Sequence, residues 1–434
     1  MKTYRPLSSQ VDLALHYILF PRKAQDINFI SLYYSGADKD ALEKAFNKLV
    51  ETQDAFRARI TFGVRGFRER ILDYTFETLP VIEVEESASL PDVMQKYRHF
   101  KGLLTGGKAY RAYLFHQGEK YTLLLSAHHL IVDGYSIGLI VDQLDSFYNA
   151  IIRGEPCVLP PKLCKFEDAL REYNAKYTKA YRREIRHYWR HKLDQRDGFG
   201  VIMPPTKSRT PIRKAETVVD GEAYQRVKAL AGRIGVPVSS IVQSGIALAL
   251  ARTTGKRDFT VMQVNHGRPK FTQKKAVGCF ANDFLNFYHV DETQPFEQYL
   301  TDSYMDYLED SRHSDGSLIL RALAMWKTEL KLFRVNFYGI LFSLLDEKSM
   351  IRNPEHDYGF LEYHYQFNQA YVNFKDDHES RMAITVTYQS GVTSPERVET
   401  VIEELHRVLQ EKLPTQAEEE RHKDDQHRLP HRGP

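Results

Sequence analysis

The chain has little cysteine, almost no tryptophan, no long apolar run and hardly any net charge. Its 434 residues include three cysteines, Cys157, Cys164 and Cys279, and two tryptophans. No cysteines form a C-x-x-C pair, so neither a disulfide framework nor a zinc site is indicated, and a reducing compartment is expected. No stretch reaches the roughly 18 consecutive apolar residues of a membrane span. Lys2, Arg5 and Asp12 interrupt the N-terminal segment, which is unlike a secretory signal. A formal net charge of +3 provides no bulk attraction for nucleic acid. The expectation is a soluble, cytoplasmic, monomeric protein with neither a nucleic-acid partner nor a membrane span.

What is present is an ordinary globular balance of 42% hydrophobic and 27% charged residues. The length suggests two domains of roughly 200 residues each. Ser8 or Ser9 is placed to cap a helix through Val11, Leu13, Ala14 and Tyr17. A strand over Ile27–Tyr34 and a helix over Asp38–Glu51 follow, then strands Phe56–Phe62 and Phe67–Tyr74 about a glycine turn. Phe166–Leu193 reads as one long charged helix, and Gly198–Arg213, with three prolines, is the compositional candidate for a lobe boundary. The second half again alternates strands and helices, ending in strand Met382–Tyr388 and amphipathic helix Val398–Leu413. Beyond Pro414 the chain is polar and charged, and residues 415–434 are expected to be disordered.

The most informative segment is His128-His129-Leu130-Ile131-Val132-Asp133-Gly134. It follows two strands, Tyr110–His116 and Tyr121–Ala127, and precedes a helix opening at Ser136. Imidazole takes and gives protons near neutral pH, which suits acyl transfer. Successive side chains of an extended backbone point oppositely, so one histidine faces the reactants while the other packs behind it. Asp133 is placed either to orient an imidazole or to pair with a distant arginine. Gly134 permits close backbone approach, and the helix N-terminus offers N–H groups to a developing oxyanion.

These residues resemble the H-H-x-x-x-D-G signature of the condensation domains of nonribosomal peptide synthesis. Other fragments are similar in the same order: Leu7-Ser8-Ser9-Gln10, Ala55-Phe56-Arg57, Phe166-Glu167-Asp168, Tyr188-Trp189-Arg190, Asn265-His266-Gly267-Arg268, Val277–Asn282 and Val335-Asn336-Phe337-Tyr338. Departures include Thr52 and Gln53 where the family has arginine and histidine, and Tyr135 after the signature. The resemblance implies an α/β (α+β) fold of two chloramphenicol-acetyltransferase-like lobes, a V-shaped pseudo-dimer with the active site between them. The lobes are expected at residues 1–175 and 176–414. It further implies His129 and Gly134 as catalytic, with His128, Asp133, Arg268 and Arg57 in structural support, Asp133 pairing with one of the two arginines. Tyr135, Ser136, Asn282 and Asn336 are expected to line the substrate channel.

The implied reaction joins an acyl or peptidyl thioester on one carrier protein to an amine, forming an amide. No bound cofactor and no metal are implied; substrates arrive on the phosphopantetheine of acyl or aminoacyl carrier proteins. Ester formation onto a hydroxyl, epimerization, and carrier docking without turnover are the competing readings. His187 and His191, four apart, and the basic run Arg182, Arg183, Arg186, Arg190 and Lys192 read as a solvated helix face.

Overall fold

The first half is built on a sheet whose central strand is buried almost throughout. In chain order it comprises α1 (Ser8–Leu19), β1 (Phe29–Gly36), α2 (Lys39–Thr52), a 3₁₀ turn at Asp54–Arg57, β2 (Ala58–Gly63), β3 (Gly66–Ile71), β4 (Val81–Glu83), α3 (Leu90–Gln95), β5 (Tyr110–Gln117), β6 (Lys120–His128) and α4 (Gly134–Ile152). Two helices, α5 (Phe166–Lys176) and α6 (Lys179–Asp194), lead on. The second half runs β7 (Ile212–Asp220), α7 (Gly221–Ile234), α8 (Val238–Thr254), β8 (Asp258–Asn265), β9 (Asn282–His289), α9 (Phe296–Arg312), β10 (Ile340–Asp346), β11 (Tyr358–Phe360), β12 (Ala370–Asp376), β13 (Arg381–Gln389) and α10 (Pro395–Lys412). The computed structural model describes residues 2–19, 29–64, 66–98, 103–158, 165–194, 211–268, 270–316, 340–346, 357–360, 370–391 and 393–414. Cys164, Asn336 and the 415–434 tail lie outside them.

Among the described residues the first sheet has the order β11-β1-β6-β5-β4 and the second β7-β13-β12-β10-β8-β9. Residues 122–128 of β6 are all buried, as a strand covered on both faces must be. Helix α2 turns Ala41, Leu42, Ala45, Phe46, Leu49 and Val50 inward at helical spacing, and Asp38 caps it by accepting from the Ala41 N–H at 2.8 Å. Helices α8 and α10 cover the second sheet, with Ile241, Val242, Leu405 and Val408 in its core.

Three expectations about local structure need correction. Phe166–Leu193 is not one helix, because its two parts serve different cores. Helix α5 buries Phe166, Ala169 and Leu170 in the first core, whereas α6 buries Ile185 and Trp189 beside Met262, Leu285 and Phe287 of the second sheet. Lys192 is not part of a solvated basic face: it is buried and donates to Asp310 at 2.6 Å. Phe56 belongs to the 3₁₀ turn and the strand starts at Ala58. There Asp54 caps α5, accepting from the Phe166 and Glu167 N–H groups at 2.7 and 3.0 Å.

The halves are not separate along the sequence. Strand β11, at 358–360, pairs antiparallel with β1 of the first sheet. Ala276, Val277 and Phe280, just before β9, are buried in the first core. The chain therefore returns from the second half to build the surroundings of the 128–134 segment.

Candidate active site

Strand β6 delivers His128 at its end, and the chain then turns into α4. His128 is fully buried, and its Nδ1 accepts the Leu130 N–H at 2.9 Å. The Tyr17 ring meets the His128 ring edge-on at 6.1 Å between centroids. His129, the next residue, lies in the turn and is half-buried. Its Nδ1 lies 3.2 Å from the Val132 carbonyl. A carbonyl only accepts, so Nδ1 carries the hydrogen and Nε2 keeps its lone pair. Desolvation lowers the imidazole below its ordinary value, outweighing the Val132 carbonyl and the Asp133 charge, which act oppositely. At neutral pH the ring is an uncharged base.

Asp133 is the N-cap of α4, its Oδ1 accepting from the Ser136 N–H at 2.9 Å. This cap starts the helix at Gly134, two residues before the expected Ser136, and occupies the Ser136 N–H. Oδ1 also accepts from Arg268 Nη2 at 3.0 Å, and Arg268 Nη1 donates to Oδ2. The Phe280 and Ala281 N–H groups donate to Oδ2 at 2.9 and 3.0 Å. Burial alone would raise this carboxyl, but the Arg268 guanidinium and the Ser136 donors hold it below the usual carboxylate range. Asp133 is thus an anchored anion with its lone pairs occupied.

Arg268 is buried, its guanidinium stacked between Tyr135 and Phe280 at 4.7 and 4.3 Å from the ring centroids. It also donates to the Ala276 carbonyl at 3.2 Å. Arg57 is elsewhere: Nη1 donates to the Leu72 carbonyl at 2.6 Å and Nε to the Val50 carbonyl at 3.3 Å. Arg57 therefore ties the end of α2 to the end of the hairpin and does not support Asp133.

The expected channel residues divide. Ser136 is fully buried, and its hydroxyl accepts from the Gly278 N–H at 3.0 Å while lying 2.8 Å from Asp133 Oδ1 and 2.9 Å from the Gly278 carbonyl. It ties together the seam between the halves. Tyr135 spends its ring face on Arg268. Asn282 is buried and donates to the Ser314 carbonyl at 2.7 Å. Gly134 is exposed, and a Cβ there would meet nothing within 4 Å.

Several contributors were not legible as such. Gln10 Nε2 donates to the Leu130 carbonyl at 2.7 Å. Gln53, in the family's histidine position, accepts from the Val277 N–H at 3.0 Å and donates to Gln143 at 3.1 Å. Asp283 opens to solvent on β9, yet desolvation by surrounding protein, with the Asp12 carboxylate second, pushes its carboxyl up to about 7. A cavity of about 140 Å³ lies under α10, lined by Ile246, Leu250, Val372, Ile384 and Leu405. These residues belong to the second core, apart from His129.

The condensation-domain model matches residues 23–423, and the chain belongs to that family. Tyrocidine synthase 3 of Brevibacillus parabrevis is 26% identical over 271 residues, covering 59% of this chain and 4% of that protein. Bacitracin synthase 1 of Bacillus licheniformis is 24% identical over 301 residues, covering 62% and 5%. The chain thus spans about a twentieth of these relatives.

Among solved structures, the first condensation domain of the calcium-dependent antibiotic synthetase, in complex with a substrate analogue, is 17% identical with a TM-score of 0.69. It covers 95% of this chain and 98% of that one. The X-domain of teicoplanin biosynthesis in complex with OxyB is 16% identical with a TM-score of 0.75, covering 94% and 92%. The fold is the two-lobed chloramphenicol-acetyltransferase-like fold of condensation domains. Among the described residues no single helix is long and apolar enough to cross a membrane.

Proposed function

We propose that the chain is an acyltransferase that condenses a carrier-bound acyl or peptidyl thioester with an amine, forming an amide in nonribosomal peptide or related biosynthesis. Family membership supports the reaction class. The observation that carries the reading is the bond between His129 Nδ1–H and the Val132 carbonyl. It leaves Nε2 as a basic atom on a loop anchored from both halves.

In this reading the amine nitrogen attacks the thioester carbonyl, and a tetrahedral oxyanion forms. His129 Nε2 takes a proton from the nitrogen; the C–S bond breaks, and the proton passes to the departing thiolate. The product is an amide and a free phosphopantetheine thiol. An α-amino group has a pKa of about 8, so positioning of the amine contributes beside proton transfer. Asp133 is held by Arg268 and stays out of proton transfer; His128 holds the Leu130 peptide. Gly134, at the first turn of α4, leaves room for the thioester to approach the backbone.

The test is intact-mass analysis of an acyl-loaded carrier protein with candidate amines and this protein, beside His129→Ala. Transfer that depends on the protein and collapses in the variant supports the reading. Turnover on a hydroxyl acceptor alone replaces the amide with an ester. Inversion at an aminoacyl carbon without transfer means epimerization, and firm carrier binding without turnover means a docking module.

A further inference from the structure

We infer that Glu69 is a positioning residue for the His129 loop, acting through Gln10 on the Leu130 carbonyl. Glu69, in β3, and Gln10, in α1, are both fully buried. The Gln10 side-chain oxygen accepts from the Leu7 N–H at 2.8 Å. Its amide nitrogen donates to Glu69 Oε1 at 2.8 Å and to the Leu130 carbonyl at 2.7 Å. The amide has two hydrogens, and both are committed. Leu130 is therefore held on both sides, its N–H by His128 Nδ1 and its carbonyl by Gln10. Leu130 follows His129 directly, so a shift of Leu130 swings the His129 ring off the Val132 carbonyl that sets its tautomer.

Glu69 Oε2 is buried and has no hydrogen-bond partner among the described residues. A carboxylate there would be a charge without compensation. The charged group acting on it is Asp54, a like charge. Tyr4, which pairs with Glu69 through backbone bonds of 2.8 and 3.0 Å, sends its hydroxyl to Glu167. Across the hairpin, Arg59 donates to the Phe56 and Ala58 carbonyls. On β3 itself, Arg68 donates to the Phe67 carbonyl. Burial is the largest influence, the Gln10 bond opposes it and Asp54 adds to it, and the carboxyl is pushed up to about 8. Glu69 is thus neutral at pH 7. Above pH 8 it becomes an anion that draws the Gln10 amide toward itself and off Leu130.

The inference rests on the proposed acyl transfer only for its kinetic readout. Wild type and Glu69→Gln, the neutral isostere, are compared by kcat between pH 7 and 9, and by hydrogen exchange of the peptide spanning 128–134. With one ionisation at about 8, the ratio of wild-type to variant kcat falls about tenfold over this range. The 128–134 peptide exchanges alike in both proteins at pH 7 and faster in wild type at pH 9. A purely structural Glu69 would give parallel rate profiles and equal exchange at both pH values, and that result overturns the inference. If neither protein turns over any amine, the acyl-transfer reading fails, while the exchange comparison still decides the role of Glu69.

Discussion

Arg268 and Asp133, 135 positions apart in the sequence, join the two halves of the chain at the site, Nη2 meeting Oδ1 at 3.0 Å. The relationship settles a choice that spacing alone leaves open. An aspartate four residues after a histidine can complete a triad, but here four side-chain and backbone partners fill the carboxylate: Ser136, Arg268, Phe280 and Ala281.

Arg268→Ala leaves the Asp133 charge buried without its partner, and about 3–5 kcal/mol of stability should be lost in denaturant titration. Arg268→Lys restores the charge but not the fork, and should recover only part. The pH dependence has a definite sign. Asp133 has a lowered folded-state pKa, so its contribution is present above the unfolded carboxylate value of about 3.9 and is lost as pH falls through the folded value. Equal stability of Arg268→Ala and wild type at pH 7 would contradict this account.

Two glycines should respond oppositely to alanine. Gly267 has φ +63°, and a Cβ there would lie 2.0 Å from the Phe280 carbonyl oxygen, so Gly267→Ala displaces the segment that presents Arg268. A left-handed non-glycine residue alone costs about 1–3 kcal/mol, and the melting temperature should fall accordingly. Gly134 has open space around it, so Gly134→Ala should melt like wild type while lowering kcat/KM, if the thioester approaches this backbone. A Gly134→Ala protein that is stable and fully active removes Gly134 from the site.

The signature loop and its flanking elements were legible because the largely apolar stretch 121–127, the His-His to Asp-Gly loop and the apolar α4 follow each other locally. Partners supplied from afar were not. Whether Asp133 takes Arg268 or Arg57 depends on a return of the chain at 266–281 that no period in the sequence encodes. The resemblance implied Ser136 as a lining residue, but the same returning segment buries it. The charged stretch 166–193 keeps helical periodicity throughout, so the change of core at Tyr177–Thr178 left no trace in its pattern. Glu69 was invisible for a similar reason: alternation along β3 sets it on the same face as the buried Phe67, but nothing local shows that Gln10 of α1 meets it there.

Asp283 should make stability fall modestly with rising pH, because its side chain is exposed and solvent screens part of the shift. Its carboxyl is pushed up to about 7, well above the unfolded value of about 3.9. The stability associated with the protonated form is complete below the unfolded value and is lost as pH rises through 7. Asp283→Asn removes this titration. The melting temperature of the variant relative to wild type should therefore rise between pH 5 and pH 9; a constant difference would mean that the carboxylate is fully solvated.

His129 gives the sharpest kinetic expectation. Desolvation lowers its imidazole below 6.5, so the neutral form with a free Nε2 persists down to mildly acidic pH. If that atom accepts the proton of the attacking amine, kcat for an acceptor presented as free amine has its acid limb below pH 6.5 and is flat above it until Glu69 ionises. His129→Ala should cost about 10²–10⁴-fold in kcat, the usual worth of a positioned general base, and should abolish the acid limb along with the rate. The fold should survive, because among the described residues the half-buried ring makes one hydrogen bond, to its own loop at Val132. Retention of the acid limb in His129→Ala would assign that titration to the substrate amine and leave the imidazole without a proton-transfer role.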